Sequence, residues 1–260
     1  LISIDVDDEN SHFKVIGSNL YNSDGTVIIA ALPTTSGRFV IPDSVTTIGE
    51  RAFYGCEDLD EIIIPKRVTA IRASAFMLCS KLVHVSIPDS VQSIGESAFM
   101  RAVNLDEIAL SNSLTSIPNG AFYGCTKLRS VTLLSNLNSV GDEAFYICTT
   151  LSKIIIPKGI KEIPKKAFYS CSNLETIVLP NTLEVISTYA FSECSKIGRL
   201  LLPSSLRSIG SFAFSKCESL HSMTIPDSVT DIGEYAFSNC DDLEEVVLSN
   251  RLSILQTGVC

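Results

Sequence analysis

Residues 225–240 read IPDSVTDIGEYAFSNC, and residues 41–56 read IPDSVTTIGERAFYGC. The two segments lie eight periods of 23 residues apart, and the same pattern recurs between them. Phe53, Phe76, Phe99, Phe122, Phe145, Phe168, Phe191, Phe214 and Phe237 fall on one phase, each preceded by Ala. Self-similarity at a fixed period outranks any local signal. Working outward, Leu or Ile sits six residues after each Phe, from Leu59 to Leu243. An apolar residue follows three further on (Ile62 to Val246), and another two beyond that (Ile64 to Leu248). One unit reads LxxIxIPxxVxxIxxxAFxxCxx.

The periods within the unit dictate its shape. The apolar–x–apolar piece alternates like a strand with one buried face. Pro next to it, as at Pro65, Pro157 and Pro226, ends the strand, because it cannot donate to a ladder. The VxxI spacing predicts an irregular or 3₁₀-like return, and Ala-Phe a short turn that points Phe inward. A unit of 23 residues is too short for a strand–helix–strand crossover, but long enough for one coil of a solenoid. Stacked coils set equivalent strands side by side about 4.8 Å apart. No coil buries its core alone, so stability comes from its neighbours.

The unit resembles the leucine-rich repeat of the BspA-like, Treponema-type class, from about Phe39 to the end of the chain. The resemblance implies an α/β-type, right-handed leucine-rich repeat solenoid. Its parallel β-sheet would line the concave face, with short 3₁₀ or irregular segments on the convex side. Ala102 departs from the pattern where Cys is expected, and Ser111, Leu134 and Ser249 where Pro is expected.

The N-terminal end differs. Leu1, Ile4 and Val6 have the spacing of a strand row, and the next row begins at Phe39 and Ile41. The interval exceeds one period, so residues 1–38 read as a first repeat strand with an inserted β-hairpin acting as an N-terminal cap. Asp24-Gly25 between apolar runs marks the hairpin turn. Residues 39–260 read as one continuous solenoid. Eleven strand rows would make a rod on the order of 50 Å long. The chain starts with Leu in repeat phase and ends at Cys260 where the next Phe would fall, which reads as a mature or trimmed fragment.

Composition narrows the function. The 20 Lys and Arg stand against 29 Asp and Glu, a net charge of −9. That is the opposite of a nucleic-acid footprint. No apolar run reaches the length of a membrane span. Eight of the 9 Cys follow Phe by three residues, so they read as buried thiols acting as small hydrophobes. Cys260 is off pattern. Ligand spacing for zinc is missing. His12, His84 and His221 are scattered and read as surface residues. The acidic turn Asp5–Asn10 lacks the rest of a calcium loop. No phosphate-binding, dinucleotide, nucleophile-elbow or zinc-protease motif occurs. The chain therefore reads as non-enzymatic, with no cofactor and no metal.

Function is left to the variable strand positions. The x between the last two apolar residues forms a column that includes Ile155, Val178 and Leu201, an exposed apolar stripe of β-branched character. The other columns carry Asp60, Glu61, Asp106 and Glu107 early, Arg129, Lys153 and Arg199 in the middle, and Glu244 and Glu245 late. Arg129, Lys153, Ile155, Val178, Arg199 and Leu201 are thus the candidate ligand-binding residues, with Arg199 as the anchor. The chain reads as a monomer, and the resemblance implies a cell-surface or secreted adhesion protein. Its partner would be a protein, a host extracellular-matrix component or a polysaccharide. The alternative is a structural spacer within a larger surface protein.

Overall fold

Two parallel ladders and one column of turns build each coil. The computed structural model describes residues 3–252, 256, 258 and 259. Leu1 of the expected first strand row, and Cys260, lie outside the described residues. On one face run Gly37–Val40, Leu59–Ile63, His84–Ser86, Glu107–Ala109 and Ser130–Val131, a five-stranded parallel sheet. Lys153–Ile155 pairs with Thr176–Val178, and Ser222–Thr224 with Glu245–Val247. The register advances by one 23-residue repeat per strand, as in Ile62↔Val85 and Ile108↔Val131. Each inward residue therefore meets its own repeat equivalent. No helix is present among the described residues.

The VxxI return is more regular than its spacing suggests. It forms a second parallel ladder of two-residue strands, such as Thr47–Ile48, Ala70–Ile71 and Ser93–Ile94. The residue after each strand donates its N–H to the preceding coil: Gly49 to Ile28 O, Arg72 to Ile48 O, Gly95 to Ile71 O. Among the described residues this ladder is interrupted twice, before Ser116–Ile117 and before Glu162–Ile163. The residues at the donor position there are Pro118 and Pro164, which have no N–H to give. Isolated i→i−3 turns flank this ladder on both sides. Val45 N–H bonds Pro42 O and Val68 N–H bonds Pro65 O where the return begins, and in the Ala-Phe segment Tyr54 N–H bonds Arg51 O and Cys56 N–H bonds Phe53 O.

Two left-handed residues bracket each Ala-Phe. Arg51 (φ 56°) and Gly55 (φ 69°) do so in one coil, and Glu143 (57°) and Ile147 (55°) in another. This costly backbone turns alternate N–H groups toward the next coil. Arg51, Phe53 and Gly55 donate to Ala73, Ala75 and Met77 O. The turn column is thus tied from coil to coil as firmly as the strands.

Side chains stack in the same order. The nine repeat Phe rings lie 5.2–5.7 Å apart, within 16° of parallel. All are buried. Phe39 closes the stack edge-on, at 5.2 Å from Phe53. Beside the rings runs a ladder of thiols. Cys79 Sγ donates to Phe53 O at 3.1 Å, and the pattern continues to Cys194 with Phe168 O at 3.0 Å. Each such carbonyl also accepts the i→i−3 bond, so the thiol occupies its second lone pair. Burial pushes these thiols up, Cys56 and Cys171 to about 12. The seven buried Cys, from Cys56 to Cys217, are expected to resist iodoacetamide in the native protein at pH 8 and to react on unfolding, because the thiolate is the nucleophile. Mass spectrometry reads this out; rapid native labelling of Cys148 would contradict it.

The N-terminal segment forms an antiparallel meander. Phe13–Ile16 pairs with Asn19–Asn22, which pairs with Val27–Ala30. The Asp24-Gly25 turn joins the last two, with Asp24 accepting from the N–H and the hydroxyl of Thr26. Val27–Ala30 then pairs in parallel with Thr47–Ile48, and so starts the second ladder. The strand row read at Ile4 and Val6 is corrected: both are half-buried, and neither lies in a strand. The sheet face therefore has ten rows rather than eleven, nine of them strands among the described residues.

Candidate functional site

Strand alternation delivers the variable residues to one exposed surface. Ile154, Ile177 and Leu200 point inward against the core, so Lys153, Ile155, Thr176, Val178, Arg199 and Leu201 point out. Ile155 is 51% exposed, Val178 47% and Leu201 77%, unusually open for large apolar side chains lying side by side. The ladder register pairs Lys153 with Thr176 and Ile155 with Val178. A hollow of 620 Å³ adjoins the stripe, lined by Ile155, Val178, Leu133, Leu179, Pro157 and Pro180.

The third row is built differently. Residues 199–202 form no strand. Gly198 stands just before them, and it accepts only a long 3.4 Å bond from His221 N–H. Leu201 is the most exposed of the three apolar side chains.

Charge divides the six candidates. Arg129 is ion-paired to Asp106 at 2.9 Å, which offsets much of the charge read for it in the sequence. Lys153 and Arg199 have no ion pair among the described residues. They are exposed on the same column, two coils apart. On the N-terminal part of the face, His84 lies between Glu61 and Glu107 in register, and Glu61 pairs with Arg38 at 3.1 Å. Exposed pairs of this kind contribute about 0–1 kcal/mol each, so their importance is to pattern the face. Among the described residues, no group of three His, Cys, Asp or Glu side chains converges to hold a metal ion. No helix among them is long and apolar enough to cross a membrane.

A second constellation was not read from the sequence. Tyr123, Tyr146 and Tyr169 stack at 4.5 and 4.8 Å along the turn face. Tyr189, Phe212 and Tyr235 then stack at 4.7 and 5.0 Å in a neighbouring column. The two runs meet edge-on at Tyr169–Tyr189, 6.3 Å apart. The signal was present in the 23-residue columns: the first run occupies the position after Phe, the second the position two before it. Near the junction, burial and a hydrogen bond to Glu193 raise the Tyr169 phenol well above its usual range. Burial opposes ionisation of Glu193, but hydrogen bonds from Tyr169 and Lys216 hold its carboxyl below the ordinary value.

Parallel ladders, a repeat of 23 residues and an outward-facing variable strand face define a leucine-rich repeat solenoid. The chain belongs to the family of BspA-type leucine-rich repeat regions, whose pattern matches residues 34–152, 96–206 and 138–259. Proteins of this family are in general binding scaffolds. No curated protein is matched. Among solved structures, the chain is similar to the pneumococcal vaccine antigen PcpA (22% identity, 92% of this chain and 71% of that one, TM-score 0.61). It is also similar to a leucine-rich repeat protein from Eubacterium ventriosum (24%, 83% and 52%, 0.59). A third is the T. pallidum leucine-rich repeat protein (22%, 93% and 91%, 0.56). The chain spans about half the length of the Eubacterium protein.

Proposed function

We propose that this solenoid is a binding module of a cell-surface or secreted protein, and that it takes a protein partner on the middle of its exposed strand face. The observation that carries the reading is the juxtaposition of Ile155, Val178 and Leu201 with Lys153 and Arg199, two cations without ion-pair partners among the described residues. Apolar side chains supply area on burial at roughly 25 cal/mol per Å². The unpaired cations supply steering and register toward an acidic segment. Arg199 is the anchor and Arg129 a rim residue. Adhesion to a host matrix component fits a repeat scaffold of this family, as does the vaccine-antigen standing of its pneumococcal neighbour. Residues 1–38 act as the cap that covers the first coil, in keeping with the need to protect an open parallel edge.

The test is a binding screen against extracellular-matrix proteins and polysaccharides, run with the wild type and with an Arg199→Glu/Leu201→Glu variant whose fold is checked by circular dichroism. Binding to a matrix protein that falls more than about tenfold in the variant is expected, equivalent to about 1.4 kcal/mol or more. Equal binding by both proteins would remove the site from this face. No binding by either would favour a spacer that holds other segments apart.

A further inference from the structure

The turn face carries a groove that the proposed strand-face site does not use. Its volume is 490 Å³. One wall is the stacked run of Tyr189, Phe212 and Tyr235. Its floor is a column of small hydroxyl residues, Ser192, Ser215 and Ser238, one per coil. The far wall is Glu193, Lys216 and Asn239, and the ring of Tyr169 closes one end. The groove exists because bulk changes column. After Tyr169 the position following Phe turns from Tyr to Ser, while the position two before Phe turns aromatic.

The lining chemistry selects among ligands. Lys216 Nζ sits 3.0 Å from Glu193 Oε1, so the one cation and the one carboxylate cancel and the groove is net neutral. An ionic ligand would find no uncompensated opposite charge. Ser238 Oγ lies 3.0 Å from Ser215 Oγ and 3.1 Å from Tyr235 O; two hydroxyl protons serve these two contacts, which leaves lone pairs on both oxygens as acceptors. Ser192 makes no side-chain hydrogen bond among the described residues. An apolar ligand would strand these hydroxyls, a cost of about 1–3 kcal/mol for each buried unpaired group. A peptide side chain needs an apolar socket, but the ring faces are covered by one another and present only edges and hydroxyls. A neutral, hydroxyl-rich chain satisfies donors and acceptors alternately, and the 4.7–5.0 Å ring spacing is comparable to the length of one pyranose ring. We propose that this groove binds a neutral linear oligosaccharide along the solenoid axis, about one sugar per coil.

The chain has no Trp and 7 Tyr, of which Tyr169, Tyr189 and Tyr235 line the groove, so a change in tyrosine fluorescence follows binding there, with isothermal titration calorimetry as the second readout. Cellotetraose, chitotetraose and mannotetraose are the probes, with tetragalacturonate as the charged control. Saturable binding of at least one neutral tetrasaccharide is expected, reduced at least about tenfold in Ser238→Tyr, which puts into the floor a ring already present at that repeat position in Tyr169. An Asn239→Ala/Glu193→Gln variant serves if Ser238→Tyr does not fold. The Arg199→Glu/Leu201→Glu variant should bind the sugar normally, which separates this groove from the strand-face site. Three results overturn the proposal: no saturable binding of any neutral probe, equal or stronger binding of tetragalacturonate, or binding undiminished by the groove variants.

Discussion

Phe145→Ala is expected to destabilise the protein by about 3–5 kcal/mol, the range for deleting a buried aromatic ring. Phe145 is fully buried and stacks on Phe122 and on Phe168 at 5.4 Å each. Removing it opens a cavity that no flexible side chain can fill, because the rings on both sides are held by their own coils. The backbone cannot close the gap, since Phe145 N–H bonds Ala167 O and Phe122 N–H bonds Ala144 O. In a quasi-one-dimensional fold the loss falls on two nearest-neighbour interfaces at once. Guanidinium unfolding should therefore show a lower midpoint and, if the halves uncouple, a second transition. Phe237→Ala, which removes only the ring contact to Phe214 among the described stack, should cost less. A Phe145→Ala penalty below about 1 kcal/mol would mean that the stack is not what holds the coils together.

Gly95→Ala is expected to cost about 3 kcal/mol, the upper part of the overpacking range. A Cβ at residue 95 would lie 2.3 Å from Ala73 N, 2.5 Å from Arg72 C and 2.7 Å from Ala73 Cα. All three are backbone atoms of the preceding coil, so no rotamer change relieves the clash. The coils must part, and the Gly95 N–H bond to Ile71 O at 2.8 Å weakens with them. Arg72 and Ser187 occupy the same column in other coils, which shows that a side chain fits where the local coil is shaped around it. Arg72→Gly should accordingly change stability by less than Gly95→Ala. Thermal melts of the two variants give the comparison, and equal effects would refute the steric argument.

The repeat, the parallel solenoid and the inward set of residues were all legible in the chain. One period, kept without a slip over nine copies, aligns every residue with its own equivalent, and stacked coils bury those columns. The thiols could be read for the same reason, since Cys at a repeat position becomes a core column. Pairing among exposed groups could not be read. Arg129 looked like a free cation until its neighbour Asp106 was placed beside it at 2.9 Å. Lys153 and Arg199 looked the same in sequence, yet have no such neighbour. The spacing predicts a 3₁₀-like return at VxxI and a short turn at Ala-Phe; i→i−3 turns occur where the return begins and at Ala-Phe, but VxxI itself is a ladder strand, because its backbone finds partners in adjacent coils, which a single unit cannot reveal.

The period, the core columns and the family are legible in the chain of residues alone, because they depend only on which residues recur. The tertiary structure alone decided where the ladders break, how far Leu201 projects and that a groove opens beside Tyr189. Those outcomes depend on a single N–H missing at Pro118 or Pro164, on the absence of a strand at residues 199–202, and on which of two columns carries the bulk. They are local differences between coils, and a consensus of identical units averages them away.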